Sequence, residues 1–438
     1  MQPIVVKFGG SSLADAAQFR KVAEIIRADP DRRYVVASAP GKRGDGDVKV
    51  TDLLYRCHDL ARAGENYTVT LAQIRERYAE IASALGVPFD LDAELQPIIR
   101  HLEGEPQRDY MASRGEYLNA KLLAAYLGFA FRDAAGAVRF APDGRFLPEE
   151  TNAALAAALS DVERAVIPGF YGTDREGRVH TFSRGGSDVT GALAARAVNA
   201  RLYENWTDVS GMLFTDPRIV PDPGTIGHIT YRELRELSYM GASVLHEDAV
   251  FPVRAAGIPI NIRNTNRPDD PGTMISHDLP PAAARRHVTG IAGRKGFSAL
   301  LVEQSLMNNE IGFGARLLSI LAAHGVPFEH CPTGIDTLSV VVDTAALNAC
   351  REAVLRQIEL QMRPDRLSVE DGLAMIAVVG HGMGGQRGVA ARIFSAVAEA
   401  GVNVRMIDQG SSELNIIIGV DEADYEPAVR AIYQKLRA

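Results

Sequence analysis

Residues 4–19, IVVKFGGSSLADAAQF, set a short apolar, β-branched run against a Gly-Gly turn and then a segment of helical periodicity. Ile4–Val6 reads as a buried strand, and Phe19, Val22, Ala23 and Ile26 recur at the spacing of one helix face. A second apolar run, Tyr34–Ala37, completes strand–helix–strand, the unit with which a parallel α/β sheet begins. Gly9 and Gly10 carry no Cβ, so an anion can come close to their N–H groups, and the helix predicted to start near Ser12 adds its positive end. Lys7 supplies a cation at the strand end, and Ser11 and Ser12 supply hydroxyl donors. A phosphate suits this set. The P-loop order is absent because the lysine precedes the glycines. Taken alone, a plain βα turn with a surface lysine accounts for the stretch about as well.

Outward from this unit, residues 51–127 are predicted mostly helical, and strand and helix alternate again over 165–275. Paired prolines in DLPPAAARRHV (278–288) mark a linker. Beyond it the chain repeats itself: residues 311–342 align without gaps to 387–418. Gly312 matches Gly388, Arg316 Arg392, Ser319 Ser395, Gly325 Gly401, and Leu338 Leu414, always at an offset of 76 (388 − 312). Each copy reads strand, glycine turn, helix, glycine and two strands, so a small α+β unit is present twice.

Charge narrows the function. With 47 basic and 55 acidic residues among 438, the net charge is −8 and is spread along the chain, which speaks against nucleic acid. No apolar run approaches the roughly 18 residues that span a bilayer, and no leader pattern opens the chain, so no membrane association and a cytoplasmic location are expected. Cys57, Cys331 and Cys350 lack metal-ligand spacing and read as free thiols of a reducing compartment.

A second glycine turn lies in HTFSRGGSDVTGALAA (180–195). Arg184 there suits a carboxylate, and Asp188 could orient a lysine or hold Mg2+ near phosphates; a helix cap is the plainer alternative. In ENWTDVSGMLFTDPRI (204–219), Trp206 closes a short strand, and the polar residues after it could contact a ribose or adenine or simply form turns. Thr51 could donate to a ligand and Glu116 could accept from a substrate ammonium, unless they are a cap and an ordinary first-turn acid. Adjacent His246, Glu247 and Asp248 lack the spacing a metal needs from one helix face. The loop over 39–49 reads as mobile, with Lys42 or Arg43 as possible lid residues.

In this order the pieces resemble aspartate kinases of the amino acid kinase superfamily: K-F-G-G-S-S at 7–12, V-T-D-L-L at 50–54, S-R-G-E at 113–116, S-R-G-G-S-D at 183–188, W-T-D-V-S-G at 206–211 and T-D-P-R at 215–218. The C-terminal repeat resembles that family's paired ACT modules. The resemblance implies an α/β kinase domain with a mostly parallel sheet over residues 1–277 and a linker over 278–290. Two α+β, ferredoxin-like ACT regions follow at 291–365 and 366–438, the first inserted in the second. It further implies that Lys7 contacts phosphate, with Gly9, Gly10 and Ser11 in the phosphate loop. Thr51 and Glu116 fall on positions that contact aspartate, Glu116 through the amino group. Arg184 falls on the carboxylate-binding position, with Gly185, Gly186 and Ser187 in the same turn. Asp188 matches the aspartate that organises Lys7. Thr207, Asp208, Leu213 and Arg218 fall on nucleotide-binding positions, Leu213 where some members carry tyrosine, and Asn266–Arg267 stands where some carry Lys-Asp.

The implied reaction moves the γ-phosphoryl of ATP, with Mg2+, to the β-carboxylate of L-aspartate. The products are 4-phospho-L-aspartate and ADP, at the head of lysine, threonine and methionine biosynthesis. A carboxylate of pKa about 4 is already ionised at neutral pH, so no general base is required. The ACT resemblance implies a homodimer and feedback by lysine or threonine, with Gly312, Phe313, Glu329 and Asp336 as effector contacts. Glu329 aligns with Arg405, so the two copies are not expected to bind one ligand equally. The alternatives are a catalytically silent amino-acid sensor and another small-acid kinase of this fold. Lys7 together with Asp188 opposes the first, and the Thr51, Glu116 and Arg184 set opposes the second.

Overall fold

The N-terminal unit takes shape as β1 (Ile4–Phe8), α1 (Ala16–Ala28) and β2 (Arg32–Ala37). In this computed structural model, residues 2–183, 185–242, 245, 247–284 and 286–437 are described. The first helix starts at Ala16, not near Ser12: Asp15 caps it by accepting from the Gln18 N–H, and Ser11–Leu13 form only a 3-10 turn. Serine and aspartate cap about equally well, so the boundary is set by which of them meets the free N–H groups, here Asp15.

The predicted helical stretch resolves into α2 (Val50–Arg62), α3 (Thr68–Leu85), α4 (Leu91–Glu103) and α5 (Arg108–Leu127). Then come β3 (Ala130–Phe131), α6 (Pro148–Leu159), β4 (Ala165–Pro168), the hairpin β5 (Tyr171–Thr173) and β6 (Val179–Thr181), α7 (Gly186–Ala197) and β7 (Leu202–Thr207). This part ends with β8 (His228–Thr230), α8 (Tyr231–Tyr239), α9 (Glu247–Ala255), β9 (Ile260–Asn264) and β10 (Thr273–Ser276). The large sheet has the order β3-β4-β2-β1-β7-β9-β10-β8, parallel throughout except for β9 against β10. The order departs from β1 in both directions, so a topological switch point lies at its C-terminal end, where α/β sheets open a crevice for ligands. Lys7 and the first glycine turn sit there. Beneath them Ile4, Val6 and Phe8 pack with Phe19, Val22 and Ile26 of α1 and with Leu54, Leu118 and Leu122 of α2 and α5.

The second compact unit contains α10 (Pro281–Ala284), β11 (Gly290–Glu303), α11 (Phe313–Ala323), β12 (Phe328–His330), β13 (Thr337–Asp343), α12 (Thr344–Asn348) and α13 (Arg351–Met362). It continues with β14 (Arg366–Val379), α14 (Val389–Glu399), β15 (Met406–Asp408), β16 (Asn415–Asp421) and α15 (Tyr425–Arg437). Its antiparallel sheet has the order β12-β13-β11-β14-β16-β15. Two cores share the long central strands. Leu300 and Val302 of β11 and Leu367 and Val369 of β14 pack with α11, β13 and α13. Ile291 of β11 and Ile376 and Val378 of β14 pack instead with α14, β16 and α15. The repeats therefore exchange strand halves, and the pairing of β11 with β14 shifts register around Phe297. Gly312 and Gly388 begin their helices at φ +83° and +89°, as the 76-residue offset requires of equivalent positions.

The expected first domain runs unbroken to residue 277, yet Leu213–Gly224 and Arg232–Ser243 group with the second unit. Phe214, Ile219 and Val220 are buried in the core built on α14 and α15, and no local pattern in the sequence says which core they enter. Glu233 of α8 accepts from Thr289 Oγ1 and the His381 N–H, and Glu236 accepts from Asn415. Among the described residues no helix is long and apolar enough to cross a membrane.

Candidate active site

Lys7 is 9% exposed in its side chain, and its Nζ lies 2.5 Å from Asp188 Oδ1. Asn205, its registered neighbour across β7, accepts from Nζ at 3.3 Å and donates to Asp188 Oδ1 at 2.9 Å. Each group comes from a different element: the strand end, the first turn of α7, and the adjacent strand. A charge-assisted pair this short with a third polar partner is a rigid way to aim an ammonium. The two glycine turns are thus joined through Lys7 and Asp188. Arg184 lies outside the described residues; the rest of its turn is placed. Gly185 adopts φ +58° ahead of α7, and Ser187 packs so close to Gly169 that a Cβ there would come 2.5 Å from its hydroxyl.

Asn205 is a site residue that sequence reasoning missed. Its only signal is an amide in a strand otherwise destined for burial. Replacing it with leucine, close in volume, keeps the Lys7–Asp188 pair but frees its orientation. We expect turnover to fall by about 10- to 100-fold, the range of one buried hydrogen-bonding group, with the KM values nearly unchanged. Steady-state kinetics check this, and an unchanged kcat would make the amide structural.

Beside Lys7, the Gly9 N–H donates to the Trp206 carbonyl at 3.0 Å. Gly10 is needed for close approach: a Cβ there would sit 2.9 Å from the Ala39 carbonyl, and its own carbonyl accepts from the Gly41 N–H at 2.8 Å. Ser11 is half-buried in the turn, whereas the Ser12 hydroxyl is turned away to Thr265 at 2.8 Å. Ala39 also abuts α5, where Gly115 leaves it room and Glu116 follows. Glu116 is buried, and its Oε2 has no hydrogen-bond partner. Burial pushes its carboxyl up to about 8, against the opposing pull of a backbone hydrogen bond at Ala39 and the charge of Arg114. An unsatisfied buried carboxylate oxygen is costly unless a ligand supplies the donor. Thr51 is half-buried in the first turn of α2.

Thr207, half-buried at the end of β7, donates to the exposed Asp208 at 3.2 Å. Asn266 accepts from Gln18 and Lys21 of α1 at 3.1 and 2.8 Å. Leu213 and Arg218 belong to the second unit, where the exposed Arg218 pairs with Asp216 at 2.6 Å. Arg43 is engaged by Asp47 and Glu80, whereas Lys42 is exposed. Of the effector candidates, Glu329 pairs with Arg294 at 2.8 Å and accepts from Tyr239, and Asp336 accepts from the Leu306 N–H. Phe313 is buried in the core built on α11, with Gly312 at that helix's start. His246 and the side chains of Glu247 and Asp248 lie outside the described residues. Among the described residues no three His, Cys, Asp or Glu converge as metal ligands.

The chain matches the amino acid kinase family over residues 2–264 and an ACT domain over residues 376–436. It is 41% identical to Aspartokinase 3 of Bacillus subtilis (strain 168), over 99% of this chain and 98% of that one. The aspartate kinase of Clostridium acetobutylicum is similar along the whole of both chains, with a TM-score of 0.90 and 47% identity. E. coli aspartokinase III in complex with aspartate and ADP is similar at a TM-score of 0.76 and 26% identity, again over all of both chains. The same protein in complex with lysine and aspartate matches at 0.73.

Proposed function

This chain belongs to the amino acid kinase family and is an aspartate kinase with ACT modules, and from that premise we propose how its own residues carry the reaction. An oxygen of the β-carboxylate of L-aspartate attacks the γ-phosphorus of ATP, the bond to the β,γ-bridging oxygen breaks, and ADP leaves with that electron pair. No proton need move, because the attacking carboxylate is ionised at neutral pH. The work left to the protein is alignment and charge compensation.

Lys7 neutralises charge on the transferring phosphoryl, while Asp188 and Asn205 hold its ammonium in place. Gly9, Gly10 and Ser11 line the phosphates. Glu116 and Thr51 receive the amino-acid end, Arg184 the α-carboxylate beside Gly185, Gly186 and Ser187. Thr207 and Asp208 attend the nucleoside. Mg2+ usually takes one or two carboxylates and completes its shell with phosphate oxygens and water, so Asp188, beside Lys7, is the carboxylate that would hold it. Such an ion would neutralise phosphate charge when bound.

The observation that carries this reading is the Lys7–Asp188–Asn205 cluster at the switch-point end of β1, with an unpartnered Glu116 oxygen on the adjoining helix. Trapping the acyl phosphate with hydroxylamine, in the presence of ATP, Mg2+ and L-aspartate, tests it. The expected product is the aspartyl hydroxamate, and its absence, or equal product from other small acids, overturns the substrate assignment.

The second unit we assign to feedback by an end-product amino acid. E. coli aspartokinase III has been solved with lysine, and lysine is the first effector to try here, alone and then with threonine. Exposed Phe328 and Ile407 on the two edge strands of this unit support pairing with a second copy of the chain.

A further inference from the structure

Arg77 of α3 belongs to none of the motifs, yet it is only 4% exposed. Its Nη1 donates to the Gly41 carbonyl at 3.1 Å, and its Nη2 reaches both carboxylate oxygens of Asp47 at 2.7 and 2.6 Å. Asp47 is gripped from the other side by the backbone N–H and Nε of Arg43, at 2.9 and 3.1 Å. Arg43 is itself anchored to Glu80 of α3 at 2.9 Å. Partial burial alone would raise the Asp47 carboxyl, but these donors hold it well below the usual carboxylate range. The 39–49 loop, which reads as mobile from its glycines and charges, is therefore pinned to α3 at two points.

What the loop touches gives the pinning a consequence. Its Gly41 N–H donates to Gly10 of the phosphate loop, and Ala39 fills the space between Gly10 and Gly115, next to Glu116. The Val50 N–H, just before Thr51, donates back to Pro40 at 3.3 Å. The donor and acceptor halves of the site are thus spaced by one loop whose position is fixed from behind.

We infer that Arg77 is a positioning residue for phosphoryl transfer: through Gly41 and Asp47 it holds the 39–49 loop so that the phosphate loop at Gly10 and the ammonium-binding carboxylate of Glu116 keep a single spacing. The inference rests on the roles proposed above for Gly10 and Glu116. Lysine cannot replace the planar fork, since one ammonium cannot serve a carbonyl and both carboxylate oxygens in these directions. A displacement of about 1 Å between reacting groups costs roughly a hundredfold in rate.

The test compares wild type, Arg77→Lys, Asp47→Asn and the double variant in the hydroxamate assay, with the folded fraction of each measured by thermal melting. Arg77→Lys is expected to lower kcat by about 30- to 100-fold while the KM values for ATP and aspartate each move less than about threefold. Asp47→Asn should act in the same direction, and the double variant should lose little more than the worse single one, because both act through one loop. Millimolar guanidinium ion should restore part of the kcat of Arg77→Ala. Activity falling only in proportion to folded fraction, or kcat within twofold of wild type, overturns the inference. Should Arg77→Lys fail to fold, Asp47→Asn carries the same comparison. A wild-type protein that makes no hydroxamate overturns the kinase reading and this inference with it; an active wild type with unaffected variants overturns this inference alone.

Discussion

Replacing Lys7 with methionine lowers kcat by about a thousandfold or more and leaves the KM for aspartate within a few-fold of wild type. The lysine is the one cation within ion-pair distance of Asp188 among the described residues, and it is almost wholly withdrawn from water. Removing one preorganised charge partner of a developing anion costs about two to three orders of magnitude. Here the loss is compounded, because Asp188 keeps its charge and turns from support into repulsion toward the phosphates. Breaking one side of a buried pair also destabilises the fold, by about 3–5 kcal/mol in typical cases, so the melting temperature must be read alongside. The double variant Lys7→Met, Asp188→Asn separates the two contributions. Relieving the orphaned carboxylate should recover about tenfold in kcat and most of the melting temperature, while activity stays far below wild type. Lys7→Arg should not rescue, since the ammonium is already seated 2.5 Å from Asp188 and 3.3 Å from Asn205, and a longer, planar guanidinium cannot take the same point position. A Lys7→Met protein turning over near the wild-type rate would remove Lys7 from the chemistry.

The parts of this site that lie close together in sequence are the parts that reading a sequence can find. Lys7, Gly9 and Gly10 share one turn, and Gly185 to Asp188 share another, so strand periodicity and glycine pairs expose both. Asn205 and Arg77 become site residues only through partners 198 and 36 positions away, brought together by the pairing of β1 with β7 and by the packing of α3 behind a loop. The same distinction governs the fold. A constant offset reveals two C-terminal repeats, but the exchange of the halves of β11 and β14 between two cores leaves only Gly296 and Gly372, both at positive φ, as its trace. Phe214, Ile219 and Val220 illustrate a further limit: their hydrophobicity predicts burial without saying in which core. The start of α1 is likewise hidden: Ser11, Ser12 and Asp15 are comparable caps, and only the hydrogen bond from the Gln18 N–H shows that Asp15 is the one used.

Glu116 carries the second large effect, and its sign follows from the shift of its carboxyl. Without substrate the group titrates near 8 rather than 4.5, chiefly because burial disfavours the anion. At pH 7 most of the protein therefore holds a proton there, and only the ionised form can pair with the ammonium of aspartate. Aspartate affinity should rise about tenfold per pH unit from 6 toward 8 and level off above, measured as dissociation constants by calorimetry. Glu116→Gln should weaken binding by about 100-fold at pH 8, the worth of a charged hydrogen bond in a desolvated site, and should abolish the slope. Thermal stability gives an independent reading. A carboxyl whose folded pKa lies above its unfolded value makes the native state bind the extra proton between the two. Ligand-free wild type should accordingly lose stability as the pH rises from about 5 to 8, whereas Glu116→Gln should not. Saturating aspartate should abolish the wild-type trend, because the ammonium then partners the buried anion and the gain in affinity with pH offsets the loss of stability. Identical pH profiles in wild type and Glu116→Gln, in both binding and melting, would show that this carboxylate does not hold the amino group.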